Sequence, residues 1–306
     1  MKCRRCRGQA VIELRRHNSS FCKDCFFDYL TNQVTLAQEK QKMFSREDRV
    51  LVVVSGGKDS LALWEILLGL GVNAWGLHIN LGIDEYSQKS EKSVRNFAKN
   101  YDAELLITNI KDEHGRGVLD IASKTTRTAC SACGLIKRYL FNKVALEKGF
   151  SVVATGHNLD DEAASLLGNV LHWKEGFLGR QSPVLPSVHP KLARKVKPLF
   201  RLTERETAAY CILKGIDYLK EECPLVKGST SLHYKEALNL LEQKSPGTKH
   251  SLYFGFLKKR AVFEPPQLNL KECLRCGQVT TDETCAFCRL LSEVESKTKV
   301  SKERIC

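Results

Sequence analysis

Apolar residues along this chain change their period several times, and each change predicts an element. Arg49-Val50-Leu51-Val52-Val53-Val54 is a β-branched run ending at Gly56-Gly57, and Ser60-Leu61-Ala62-Leu63-Trp64-Glu65-Ile66-Leu67-Leu68 continues with helical character. The spacing predicts strand, glycine loop, helix. The order repeats. Strand-like Ala74 to Ile79 precedes helix-like Glu91 to Asn100, strand-like Glu104 to Ile107 precedes a helix ending near Ser123, and Val152-Val153-Ala154-Thr155 precedes a helix from Asp160 to Leu171. Such alternation predicts an α/β fold with a doubly wound, mainly parallel sheet and helices on both faces. Thr203-Glu204-Arg205-Glu206 has the capping-box pattern, so a helix is expected from there to Lys214, stopped by Gly215. The stretch from Gln181 to Pro198, with its four prolines, reads as a loop.

At 306 residues and 42% hydrophobic content, the chain can bury one substantial core plus small modules. Residues 1–30 have too little apolar content for a core of their own and read as a metal-built module. Polar, helix-compatible Thr31 to Asp48 leads into a main domain spanning 31–265. Pro265-Pro266 then separates a terminal cysteine module, 266–306, whose charged end is expected to fray. No apolar run approaches the roughly 20 residues of a membrane span, and Met1-Lys2-Cys3-Arg4 opens into cysteines rather than an apolar signal core. A cytoplasmic protein is expected.

Thirteen cysteines without a signal sequence, most in C-x-x-C pairs, point to reduced thiolates holding metal rather than to disulfides. Cys3, Cys6, Cys22 and Cys25 form one quartet, with 15 residues between its pairs; Cys273, Cys276, Cys285 and Cys288 form another, with eight between. Each predicts a structural, four-thiolate Zn²⁺ site. Cys130, Cys133 and Cys223 are three thiolates, one short of a closed shell, which leaves an open coordination position for catalysis. The alternative is a redox dithiol of Cys130 and Cys133 with Cys223 inert. Cys211 and Cys306 have no evident partners, burial and fraying being the default readings.

The net charge of +13 implies an anionic partner, nucleic acid first. Arg4, Arg5, Arg7, Arg15 and Arg16 beside the first quartet are candidates for RNA-backbone contact. Lys191, Arg194, Lys195 and Lys197 are further candidates, as are Lys258, Lys259 and Arg260, with a solvated basic face as the alternative.

Ser55-Gly56-Gly57-Lys58-Asp59-Ser60 joins the first strand to its helix, where glycines let backbone N–H groups approach an anion at a helix N-terminus. The Walker A spacing is absent and an acidic residue follows Lys58 at once. Asp59 can therefore hold Mg²⁺ beside a pyrophosphate while the Ser55 and Ser60 hydroxyls contact phosphate oxygens. This hexapeptide resembles the signature of the PP-loop ATP pyrophosphatases, which adenylate a carbonyl oxygen.

The three-cysteine pattern inside such a chain resembles the tRNA 2-thiolation family of TtcA and TtuA, and zinc modules at both ends resemble its TtuA branch. The resemblance covers nearly the whole chain and includes Leu77-His78-Ile79-Asn80, Cys223-Pro224 and Thr155-Gly156-His157-Asn158-Leu159-Asp160-Asp161-Glu162. It implies an enzyme that uses ATP and Mg²⁺ to adenylate the C2 oxygen of a tRNA uridine, with Cys130, Cys133 and Cys223 holding a 4Fe-4S cluster. It also implies a second active-site loop at Thr155 to Glu162. There Gly156 permits close approach to nucleotide, Asn158 donates hydrogen bonds, and Asp161 binds Mg²⁺ or takes a proton, with a capping turn as the bland alternative. Lys137, four residues after Cys133, would neutralise a phosphate or a developing oxyanion. His78 reads first as a hydrogen-bonded core histidine and second as part of the nucleotide pocket; Trp64 and Trp75 read as core.

By the same resemblance the substrate is the T-loop 5-methyluridine, the sulfur donor a ubiquitin-like carrier with a C-terminal thiocarboxylate, and the assembly a homodimer. Thiolation of the wobble uridine and a persulfide route without a cluster are the enzymatic alternatives. A non-catalytic, zinc-built tRNA-binding protein is the alternative of another class, and a lysidine-type ligase has no use for the central cysteines.

Overall fold

The structure, a computed structural model, describes residues 1–226 and 230–303, with side chains described as far as Thr298; Cys306 lies outside the described residues. The chain begins with two antiparallel strands, β1 (Ile12–Leu14) and β2 (Ser19–Phe21), and the helix α1 (Lys23–Gln41). Then come β3 (Val50–Val53), α2 (Lys58–Gly69), β4 (Ala74–Asn80), α3 (Asp84–Asn100) and β5 (Leu105–Asn109). Short helices α4 (Ile110–His114) and α5 (Val118–Ser123) lead to α6 (Ala129–Glu147), β6 (Val152–Thr155), α7 (Leu159–Leu171) and α8 (Glu175–Arg180). The remainder comprises β7 (Val184–Leu185), β8 (Arg194–Val196), α9 (Glu204–Lys214), α10 (Thr230–Lys244), α11 (Thr248–Lys259), the hairpin strands β9 (Lys271–Glu272) and β10 (Val279–Thr280), and α12 (Ala286–Glu303).

The expected doubly wound sheet is present, in the order β5-β4-β3-β6-β8-β7, all parallel except the antiparallel edge strand β7. Val50 and Val52 pack into one core with Trp64 and Phe97, while Leu51 packs into the other with Ile136 and Leu140. Alternate strand residues face opposite ways, so helices on both sides require the continuous apolar run that the sequence has. Strand order reverses between β3 and β6, which opens a crevice at their carboxyl ends. Both candidate loops leave the sheet there.

Three sequence expectations need correction. Helix α3 starts at Asp84 rather than Glu91, because buried Ser87, Ser90 and Ser93 occupy its inward face and erase the apolar stripe. The helix expected to end near Ser123 is two, broken where Gly115 takes φ +67° and Gly117 lies so close to Gly82 that a Cβ would sit 2.9 Å from its carbonyl oxygen. Gln181 to Pro198 is not all loop: β7 and β8 extend the sheet, the prolines falling outside those strands. After Cys288 the charged tail continues as α12 through Glu303, held by buried Leu290 and Val294 on one face.

Helix α1 runs without interruption past residue 30, and its Phe26, Leu30, Val34 and Ala37 share a core with Val50 and Val52. The N-terminal module is further tied to α9 by a buried ion pair, Arg16 to Glu206 at 2.9 Å, with Tyr29 hydrogen-bonded to both. Among the described residues no helix is long and apolar enough to cross a membrane.

The core geometry makes Gly76 in β4 a sensitive position. A Cβ there would lie 2.5 Å from the ring of fully buried Trp64, which is stacked on Phe97 and hydrogen-bonded to the Ala74 carbonyl. Gly76→Ala is predicted to cost about 1–3 kcal/mol, read as a lower melting midpoint. An unchanged midpoint would show that the indole can move aside.

Candidate active site

The loop after β3 is shaped by its neighbours before any ligand arrives. Gly56 has φ +76°, and a Cβ on it would meet the Ser90 carbonyl at 2.8 Å. The loop carbonyls are held from α3: Ser90 Oγ donates to Ser55 O at 2.7 Å and Ser93 Oγ to Gly56 O at 3.3 Å. Ser60 Oγ accepts from the Ser55 amide at 3.1 Å and lies 3.4 Å from Ser55 Oγ. The first-turn amides of α2 have no intrahelical acceptor and are the natural anion donors.

Asn158 joins the two loops. Fully buried, it caps α7 by accepting from the amides of Asp160 and Asp161, at 2.9 and 3.2 Å, and its Nδ2 donates to Asp59 Oδ1 at 3.1 Å. Asp161 completes the capping box by accepting from the Asn158 amide at 3.1 Å. The capping role and the bridging role thus coexist. Gly156 acts between the loops themselves: a Cβ there would lie 2.9 Å from the Ser60 amide nitrogen, so glycine lets β6's loop press on the first turn of α2.

Asp59 and Asp161 are joined in one charge network with Glu204, Lys58 and Lys235. Lys58 Nζ lies 3.2 Å from Asp59 and 2.6 Å from Glu204; Lys235 Nζ lies 2.6 Å from Asp161 and 3.4 Å from Glu204. Burial pushes the Asp59 carboxyl upward, and Lys58 and a hydrogen bond from Thr207 only partly offset it. Burial acts the same way on Asp161, but Lys235 overcomes it and holds that carboxyl below its ordinary value. The two carboxylates stand at the crevice, one on each loop, and are oxygen donors of the type that could hold a hard cation. Beyond Lys58 lies a cavity of about 540 Å³, bounded by the start of α9, by Glu13 to Arg16, and by α10 and α11.

Sequence reasoning missed Glu204, Thr207 and Lys235. Glu204 was visible only as part of the α9 capping box, which Thr203 and Glu206 complete as expected. Lys235 sits on α10 in no motif; only the fold brings it to Asp161.

The thiols lie along α6 and the turn facing it. Cys130 and Cys133 occupy successive positions on the helix's first turns, and Cys130 Sγ donates to the Leu225 carbonyl at 2.7 Å, two residues beyond Cys223. Burial, with Cys223 and Cys133 beside it, pushes the Tyr86 phenol up to about 12. Burial also pushes the Cys133 thiol up, while the Lys137 ammonium next to it pulls the other way. His78 is a core histidine with Nδ1 3.0 Å from the Val54 carbonyl, yet its buried Nε2 has no partner. Trp64 is core as expected; Trp75 is only partly buried and stands against Phe150 and Arg49.

A single tetrahedral metal holds its thiolate sulfurs about 3.8 Å apart. Both terminal quartets meet that demand, their four sulfurs all lying within 4.8 Å of one another. In the second, burial opposes ionisation of Cys273, but the backbone amides of Cys285, Arg275 and Cys276 bring its thiol down to about 6. The central three do not close to single-ion spacing among the described residues. They are nevertheless neighbours, the charges of Cys223 and Cys130 both opposing ionisation of Cys133. Cys211 is a buried thiol donating to the Lys58 carbonyl at 3.3 Å.

The basic candidates divide. Arg16 is consumed by Glu206, Arg4 donates to the Asn18 carbonyl at 3.0 Å, and Arg5 stands 4.0 Å from Asp28. Lys258 and Lys259 remain exposed at the end of α11.

Known proteins match nearly the whole length of this chain. The PP-loop domain family matches residues 30–224, and the N-terminal LIM domain of the 2-thiouridine synthetase TtuA matches residues 2–27. The tRNA-5-methyluridine(54) 2-sulfurtransferase of Thermus thermophilus is 48% identical over 99% of this chain and 94% of its own. The protein of the same name from Pyrococcus horikoshii is 43% identical over 99% of this chain and 98% of its own. The solved U34-tRNA thiolase NcsA of Methanococcus maripaludis, which contains a 4Fe-4S cluster, superposes with a TM-score of 0.82 at 28% identity, covering 95% of each chain. This chain belongs to the PP-loop tRNA 2-thiolation family, in the branch of the 2-thiouridine synthetase TtuA.

Proposed function

We propose that this protein is a tRNA 2-sulfurtransferase that replaces the C2 oxygen of the T-loop 5-methyluridine, position 54, with sulfur in a reaction driven by ATP. The observation that carries the reading is the meeting of an ATP-pyrophosphatase loop and three thiols at one end of the sheet, in a chain 48% identical to a protein of that name. The wobble uridine is the weaker target, because the thiolase named for it shares only 28% identity.

In this reading the α2 amides and the Ser55 and Ser60 hydroxyls receive the pyrophosphate portion of ATP. Asp59 and Asp161 would hold Mg²⁺, and the lysines that now neutralise them, Lys58 and Lys235, turn to phosphate oxygens. The uridine C2 oxygen attacks the α-phosphorus, pyrophosphate leaves, and AMP becomes the group that sulfur displaces at C2. Lys137, beside Cys133, stabilises negative charge at the C2 substituent as the displacement proceeds. Cys130, Cys133 and Cys223 would hold a 4Fe-4S cluster, which when bound supplies one open iron position for the incoming sulfide. Inclusion of Cys223 favours this over a persulfide route, for which Cys130 and Cys133 would suffice. A Zn²⁺ ion in each quartet would keep modules 1–30 and 266–306 folded. By family resemblance a ubiquitin-like thiocarboxylate carrier donates the sulfur and the working state is a homodimer. Its place is the cytoplasm, a reading supported by relatives named cytoplasmic tRNA 2-thiolation proteins.

Anaerobically purified protein is expected to contain about four irons and two zincs and to thiolate tRNA whose sole target is the T-loop uridine; ATP-dependent sulfur only at the wobble uridine would overturn the assignment. Cys223→Ala should lose the iron and the thiolation while keeping both zincs, and zinc loss with intact iron would contradict the division of ligands. Asp161→Asn should slow tRNA-dependent pyrophosphate release by about 10²–10³-fold, the scale of losing one placed electrostatic group, with iron content unchanged. A near-normal rate would remove Asp161 from the chemistry.

A further inference from the structure

Of the basic run around β8, three members are already engaged. Lys191 pairs with Glu272 at 2.6 Å, Lys197 with Glu162 at 2.7 Å, and Arg194 donates to the Met43 carbonyl at 3.3 Å. The side chain of Lys195, in their midst and partly buried, has no ion pair or hydrogen bond among the described residues.

Its position follows from the fold. Lys195 is in register with Val153, whose side chain packs with Ile136 and Leu140 of α6. Asn142 sets the height of that helix against β8, accepting from the Ala193 amide at 3.0 Å and donating to the Lys191 carbonyl at 2.9 Å. From Asn142 back to Arg138 is one helical turn, about 6 Å; from Ala193 on to Lys195 is two strand residues, about 6.6 Å. Helix α6 runs opposite to the parallel strands, so both steps lead toward the carboxyl edge, and Arg138 stands beside Lys195. Gly134 leaves the space for it: a Cβ there would be 3.1 Å from Arg138 Nη1, so the guanidinium lies back over the turn that carries Cys133.

Arg180, at the end of α8, and Arg127, just before α6, add to the same field. Burial and then the charges of Arg138 and Arg180 hold the Lys195 ammonium below its ordinary value, and burial and Arg127 do the same to the Arg138 guanidinium, against which only the Cys133 thiol pulls. Gathered cations with no carboxylate among the groups acting on them raise the free energy of the ligand-free protein. An anion seated among them removes that penalty.

We propose that Arg138 and Lys195, with Arg180 and Arg127 at the rim, bind the backbone phosphates of the RNA strand that carries the reacting nucleotide, one turn of α6 from Cys133. The inference rests on the tRNA-modifying reading above and adds where the substrate is gripped. Arginine forks match phosphate bidentately, and a polyanion meets several cations at once where an acidic side chain meets one.

The test uses the full-length, cluster-loaded protein and unmodified tRNA, with binding measured across a range of salt for wild type, Arg138→Gln, Lys195→Gln, the double variant and Arg138→Lys. The glutamine variants should each weaken tRNA binding about 3–10-fold and reduce the slope of log affinity against log salt by about 0.7–0.9 for each phosphate no longer neutralised. Iron and zinc contents and the KM for ATP should stay at wild-type values, and Arg138→Lys should restore most of the salt slope. Wild-type affinity and slope in the double variant would overturn the proposal. So would a defect confined to the sulfur-donating protein with tRNA binding intact, which would reassign the patch to a protein partner. If wild type itself neither binds nor thiolates tRNA, the functional reading fails first and the phosphate grip with it.

Discussion

The contact on which the site depends is the one between two loops, made by Asn158 and Gly156. Parallel pairing of β3 with β6 brings the loops to the same edge, but pairing alone sets them only to within a side chain's reach. Gly156 removes the last Cβ between them, and the Asn158 amide then spans to Asp59. Because the same asparagine caps α7, the helix start that carries Asp161 and the helix start that carries Asp59 are indexed to each other through one buried residue. Preorganisation of this kind matters most for groups that act together on one ligand, as proposed for these two carboxylates.

Much of the fold was legible because its signals were local. The β-branched run before Gly56, the capping box at Thr203 and the left-handed stop at Gly215 each state their conformation within a few residues. What escaped was shaped by function. Ser90 and Ser93 face inward because the carbonyls of the phosphate loop need donors, and Ser87 because it accepts from the Ile83 amide, so α3 reads as polar on the face that is most buried. For the same reason Glu204 and Lys235 were not identified: their meaning lies in a charge network assembled from four helices, and no spacing along the chain encodes it. The cysteine sets were the opposite case, since metal ligation demands sulfur at short, regular intervals that survive as pattern.

The basic surplus of the chain also acquires structure. Arg16, a candidate for RNA contact by its place beside the first quartet, is instead the buried partner of Glu206 and fastens the N-terminal module to the helix beside the phosphate loop. Removing one member of such a pair is costly because the other is left charged in a poor dielectric. Lysines and arginines that serve the interior are thus separated from those that face a partner, a distinction that net charge cannot make.

Helix α6 bears Cys130, Cys133, Lys137, Arg138 and Asn142 on consecutive turns, and its Tyr139 stacks on Phe287 of the C-terminal module with ring centres 3.8 Å apart. Each of these contacts depends on angular phase as well as height. Inserting or deleting one residue within the helix would rotate everything beyond it by about 100° and shift it by about 1.5 Å, separating the thiols from either β8 or the terminal module. Change in this segment is therefore confined to exchanges of side chain at constant length, whereas the connections around it are free to grow or shrink.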